Sequence, residues 1–151
     1  MEGDLQVDEE LFLFTGIKGR RCWPTGNLEL KECRGEEVLQ DEFSHEQYLV
    51  VDCEGKKTLI SGCAHNGILN ILDRYREIYG KNPDKVVSGF HMMKKQGLTG
   101  ADKAEIHKTA RELVEMKTEF YTGHCTGAEA YEIMKDIMGD KLKFVHCGEE
   151  I

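Results

Sequence analysis

Three histidines share one local setting. In Leu59-Ile60-Ser61-Gly62-Cys63-Ala64-His65, Val86-Val87-Ser88-Gly89-Phe90-His91 and Phe120-Tyr121-Thr122-Gly123-His124-Cys125, an apolar run passes through a small hydroxyl residue and a glycine to an imidazole. Neutral imidazole is the commonest protein ligand for zinc and iron, and it is the usual general acid or base near neutral pH. Glycine before each histidine lets the backbone turn sharply and lets another group approach closely. If the apolar runs are strands of one layered sheet, their histidines meet beyond the carboxyl ends, where loops converge and ligands collect. A metal site is the sharper reading, and half-buried histidines capping strand ends are the structural alternative for each one taken singly. Cys63 and Cys125 flank the same loops, either as metal-binding or activated thiolates or as small packed residues.

The remaining polar residues give weaker signals. His107 falls on the polar side of a helix, His45 can face either way, and His146 reads as a packed strand residue beside Cys147. Asp41-Glu42 can supply a carboxylate, although in a chain with 28 acids a solvated pair is the plainer reading. Thr126 and Gly127 lead into a helix, and their backbone N–H groups offer a place for a substrate anion. No Gly-x-Gly-x-x-Gly, P-loop or Gly-x-Ser-x-Gly motif is present, which leaves nucleotide binding and a serine hydrolase without support.

The elements that position these residues follow from periodicity. Gln47–Asp52 and Lys57–Ser61 form a hairpin, and helices are expected over about 66–79, 101–116 and 128–138. Strands are expected at 85–90, 119–122 and 142–147 between and after them. Glu10–Thr15 reads as a short strand, and the stretch from Arg20 to Gln40, broken by Pro24 and Gly26, as edge structure or loop. The alternation of strand and helix specifies a layered α/β (mixed α+β) architecture, treated as one domain over 1–151 with a less regular segment at 1–40.

Composition sets limits on function. The 20 basic and 28 acidic residues give a net charge of −8, with no basic run longer than two, which argues against nucleic acid as the main partner. At 40% hydrophobic residues the chain has material for a core, and it shows neither a long apolar span nor a signal peptide, so a soluble, cytoplasmic protein is expected. The six cysteines include no Cys-x-x-Cys pair and read as free thiols.

The segments Ser61-Gly62-Cys63-Ala64-His65-Asn66-Gly67-Ile68-Leu69-Asn70-Ile71, Ser88-Gly89-Phe90-His91 and Gly123-His124-Cys125-Thr126-Gly127 resemble the metallo-β-lactamase-fold hydrolases of the dihydropterin ribofuranosyl-aminobenzene phosphate synthase group. The resemblance runs over roughly 41–151, from Asp41-Glu42 to Val145-His146-Cys147-Gly148. It implies the C-terminal half of an αββα sandwich with a metal pair at one edge of its sheets. It implies metal ligation by His65 and His124, with His91, Cys63 and Asp41 nearby and a divalent metal, zinc first and iron or manganese as alternatives. The family's first half supplies a His-x-His-x-Asp-His cluster, and these 151 residues contain none. The expectation is therefore the C-terminal portion of a metal-dependent hydrolase, inactive or nearly so alone, that holds metal weakly or not at all. Its partner would be a missing N-terminal half or a second copy of itself, and its substrate, once complete, a small molecule. A non-catalytic dimerising module is the alternative, and a thiol protein using Cys63 and Cys125 comes last.

Overall fold

A computed structural model of the chain describes residues 3–151. In chain order the elements are β1 (Leu5–Gln6), β2 (Leu11–Phe14), β3 (Lys31–Arg34), β4 (Glu37–Gln40), β5 (Tyr48–Cys53), β6 (Lys56–Ile60), α1 (Ile68–Tyr79), β7 (Lys85–Ser88), α2 (Gly100–Val114), β8 (Glu119–Thr122), α3 (Ala128–Met138) and β9 (Leu142–Phe144). Seven strands form one mixed sheet in the order β1-β2-β5-β6-β7-β8-β9, and β3 and β4 form a separate hairpin. The strands from β1 to β6 pair antiparallel, whereas β6, β7, β8 and β9 run parallel.

Each parallel step is a strand, helix, strand crossover. Such crossovers are right-handed, and because the strand order always advances in one direction, all three helices fall on the same face of the sheet. The register shows what that face is made of. Val50, Leu59, Val86, Phe120 and Leu142 stand opposite one another in successive strands, and each is at most 1% exposed. They pack with Leu69, Leu72 and Tyr75 of α1, Ile106, Ala110 and Leu113 of α2, and Ala130 and Met134 of α3 in a single core.

The neighbouring register row points the other way, because side chains alternate along a strand. It comprises Leu5, Leu13, Leu49, Ile60, Val87, Tyr121 and Lys143, apolar for six strands and basic at the last. Leu5 is 47% and Ile60 38% exposed, while the Tyr121 ring lies beneath the ammonium groups of Lys85 and Lys143. Among the described residues, the seven-stranded sheet thus carries one helical layer, and its other, apolar face carries no helix.

The expected helices and central strands are present, with adjusted ends. Helix α1 starts at Ile68 because Gly67 has a φ of 85°, outside the helical range, and it stops where Gly80 turns left-handed and donates to the Arg76 carbonyl. Helix α2 is started by a capping box between Thr99 and Asp102. Strand β9 ends at Phe144, so His146 is not a packed strand residue; it is exposed in a turn beside Glu149. The stretch from Arg20 to Gln40 holds a 3-10 turn at Thr25–Glu29 followed by the β3–β4 hairpin. Asn70 on α1 anchors it, accepting from the Arg21 N–H at 3.1 Å and donating to the Arg21 carbonyl at 3.0 Å. Among the described residues no helix is long and apolar enough to cross a membrane.

Candidate metal centre

The β6–α1, β7–α2 and β8–α3 loops leave the carboxyl ends of three adjacent parallel strands, and they bring His65, His91 and His124 to one edge of the sheet. These loops are held in backbone shapes that side chains disfavour. Ala64, His91 and His124 have φ of 52°, 49° and 49°, in the left-handed region that non-glycine residues seldom occupy. Contacts between the loops impose the geometry: Gly89 N–H donates to the Gly62 carbonyl at 2.8 Å, and Met92 and Met93 both donate to the Cys125 carbonyl at 3.0 Å. Two of the three glycines before the histidines are required by close approach. A Cβ on Gly89 would lie 2.6 Å from Cys125 Sγ, and one on Gly123 would lie 2.8 Å from the Val145 carbonyl oxygen.

His65 is oriented by a residue from the irregular segment. Asn27, fully buried, donates from Nδ2 to the His65 carbonyl at 2.6 Å, which turns its Oδ1 toward His65 Nδ1 at 3.0 Å. An amide oxygen only accepts, so Nδ1 carries the proton and Nε2 presents its lone pair. Phe43 stacks on the imidazole with ring centroids 4.4 Å apart and planes 8° from parallel. Glu46 braces the loop from below, accepting the backbone N–H groups of His65 at 2.8 Å and Asn66 at 3.0 Å. Burial lowers the His65 pKa below the ordinary imidazole value, against the pull of Glu46 and Asp41, and favours the neutral, ligating form.

His91 packs against His65 with ring centroids 4.0 Å apart. Burial, followed by the neighbouring charge of His65, pushes its pKa down to about 4, so it too is neutral at physiological pH. Its Nδ1 is buried without a hydrogen-bond partner among the described residues, an uncompensated donor or acceptor of the kind a ligand or ion satisfies. His124 is exposed, and its Nδ1 lies 3.6 Å from Cys63 Sγ. Cys63, His124 and Cys125 place their ligating atoms within 4.8 Å of one another. Asp41 stands close enough for its charge to act on His65, but its Oδ1 accepts the Phe43 N–H at 2.7 Å and so shapes the turn that delivers the stacking ring. Glu42, by contrast, is exposed and paired with Arg20.

Thr126 and Gly127 sit differently from their expected place at a substrate anion. Thr126 is fully buried; its hydroxyl accepts the Phe90 N–H at 2.9 Å and shares a 2.6 Å hydrogen bond with Thr122. The N–H groups of Thr126 and Gly127 already donate to the Gly123 and His124 carbonyls within the turn. These residues tie the His91 loop to the His124 loop. Asn27, Phe43 and Glu46 had no signature in the sequence beyond turn-forming neighbours, because each acts on His65 from 19 to 38 positions away.

An open imidazole lone pair, an unpartnered buried imidazole nitrogen and neighbouring thiols are borderline to soft donors, which suits zinc and related divalent metals. A solved metal-dependent hydrolase of the β-lactamase superfamily superimposes with a TM-score of 0.78 at 31% identity, over 99% of this chain and 56% of that one. The chain has one half of a metallo-β-lactamase fold. It is also 28% identical, over 116 residues, to the 7,8-dihydropterin-6-methyl-4-(β-D-ribofuranosyl)-aminobenzene-5′-phosphate synthase of Methanocaldococcus jannaschii, covering 76% of this chain and 37% of that protein. No family model matches the chain. The chain therefore spans little more than half of that hydrolase and just over a third of the synthase.

Proposed function

We propose that this metallo-β-lactamase-fold chain provides one wall of a metal-dependent hydrolase site, with His65 and His124 as metal ligands and His91, Cys63 and Asp41 in support. The observation that carries the reading is the Asn27–His65 pair, which fixes the imidazole tautomer and leaves Nε2 open at the loop edge. A divalent metal held there, zinc in first place and iron or manganese next, would supply an acidified water for attack on a phosphoester or related bond. Phe43 and His91 limit the tilt of the His65 ring from its two sides, Glu46 holds its backbone, and Asn27 keeps the proton on Nδ1. The resulting edge takes a small-molecule substrate.

Turnover requires more than this wall. The apolar row from Leu5 to Tyr121 supports pairing of the open sheet face with a complementary sheet, brought by a separate half of the fold or by a second copy of the chain. The same row also favours the non-catalytic reading, a dimerising module, and the two differ in whether metal and activity accompany pairing. The test is metal content and phosphodiesterase activity of the chain, alone and mixed with a polypeptide carrying a His-x-His-x-Asp-His half. Activity should appear only in the mixture and disappear with His65→Ala or His124→Ala. Full activity of the chain alone would overturn the need for a complement, and a metal-free, inactive complex would leave the dimerising module as the function.

A further inference from the structure

We infer that Cys63, Cys125 and His124 form a thiophilic metal site of their own, distinct from the histidine centre and complete within this chain. It goes beyond the hydrolase reading, with which it shares His124 and Cys63, by adding Cys125 as a ligand. The spacing is already close to that of a bound ion. With Zn–S near 2.3 Å and Zn–N near 2.0 Å, tetrahedral ligation separates sulfur and nitrogen by about 3.5 Å and two sulfurs by about 3.8 Å. Cys63 Sγ and His124 Nδ1 are 3.6 Å apart, and all three ligating atoms lie within 4.8 Å of one another. Closing the set on a metal thus needs shifts of about 1 Å at most.

The surroundings support the assignment. Gly89 leaves the space that Cys125 Sγ fills, since a Cβ there would come within 2.6 Å of the sulfur. The left-handed backbone at His124 and the Met92 and Met93 N–H groups on the Cys125 carbonyl hold the second and third donors in place. Ser61, 7% exposed and with its hydroxyl buried without a partner among the described residues, lines the same hollow as Cys63 and His124. It can hydrogen-bond a water in the fourth ligand position. A reactive thiol is a poorer reading of the same residues, because Cys125 is buried and its sulfur is packed against Gly89. Binding releases both thiol protons to solvent, and no electron is transferred. The soft donor set selects zinc, cadmium or cobalt over magnesium or calcium.

Cobalt(II) titration of the reduced chain tests the site, with the exposed Cys33, Cys53 and Cys147 replaced by serine throughout. A near-ultraviolet thiolate-to-cobalt charge-transfer band should saturate at one equivalent. Cys63→Ser, at a partly exposed position, should cut the band by about half and weaken binding about tenfold or more. Cys125→Ala should do the same, with circular dichroism reporting the fold, and His65→Ala should keep the band. A band unchanged in both cysteine variants overturns the inference, as does cobalt bound with visible absorption but without a charge-transfer band. Loss of cobalt on His65→Ala, with retention in Cys63→Ser, overturns it while supporting the histidine centre.

Discussion

Replacing Asn27 by alanine removes the strut that sets His65. Two hydrogen bonds are lost, from Nδ2 to the His65 carbonyl and from His65 Nδ1 to Oδ1, at a residue that is itself fully buried. A buried polar group left without its partner costs about 1–3 kcal/mol, and His65 is only partly buried, so the two together amount to about 2–4 kcal/mol. Urea unfolding should show that loss as a lower midpoint with an unchanged slope. The imidazole, no longer held, samples both tautomers, and affinity for zinc should fall about 10- to 100-fold in chelator competition. Nitrogen-15 chemical shifts of His65 report the tautomer directly. Asn27→Asp keeps an acceptor for Nδ1–H but loses the donor to the carbonyl, so it should restore the tautomer without restoring full stability. A stability change below about 0.5 kcal/mol with an unchanged Nδ1–H tautomer would refute the account, because a two-bond clamp cannot be removed so cheaply.

Other perturbations probe the scaffold. Burial alone would raise the pKa of Asp102, but hydrogen bonds from Lys94, Thr25 and Thr99 hold it well below the ordinary carboxylate range. Its contribution is therefore present above the unfolded pKa near 4 and lost as pH falls further: Asp102→Asn should cost about 0.5–2 kcal/mol at pH 7, with the gap to the unsubstituted protein closing in acid unfolding curves below about pH 4. Gly89→Ala forces a Cβ to 2.6 Å from Cys125 Sγ and 3.3 Å from the Gly62 carbonyl oxygen, and should destabilise by about 1–3 kcal/mol in thermal melts. Adding Cys125→Ala should recover part of that loss, and no recovery would place the strain at the carbonyl instead. Ile60→Asp, on the open sheet face, should cost the chain alone about 1–2 kcal/mol, since Ile60 is only 38% exposed, while abolishing association in sedimentation velocity; retained association would move the interface elsewhere.

Local periodicity was enough to place α1, α2, α3 and the central strands, since a repeat of apolar residues commits each segment to a face before any long-range contact forms. The strand, Gly, His pattern likewise placed His65, His91 and His124 at one edge, because parallel neighbours must end on the same side. Tertiary structure alone decided what each histidine can do. Asn27 reaches His65 across 38 positions, and the left-handed φ at Ala64, His91 and His124 accompanies hydrogen bonds that tie the three loops to one another. It also turned Thr126 from an anion donor into a buried tie, and His146 from a strand residue into an exposed one. The open sheet face belongs to the same class: alternation shows that β5 has apolar residues on both sides, but only the one-directional strand order puts every helix on one of them.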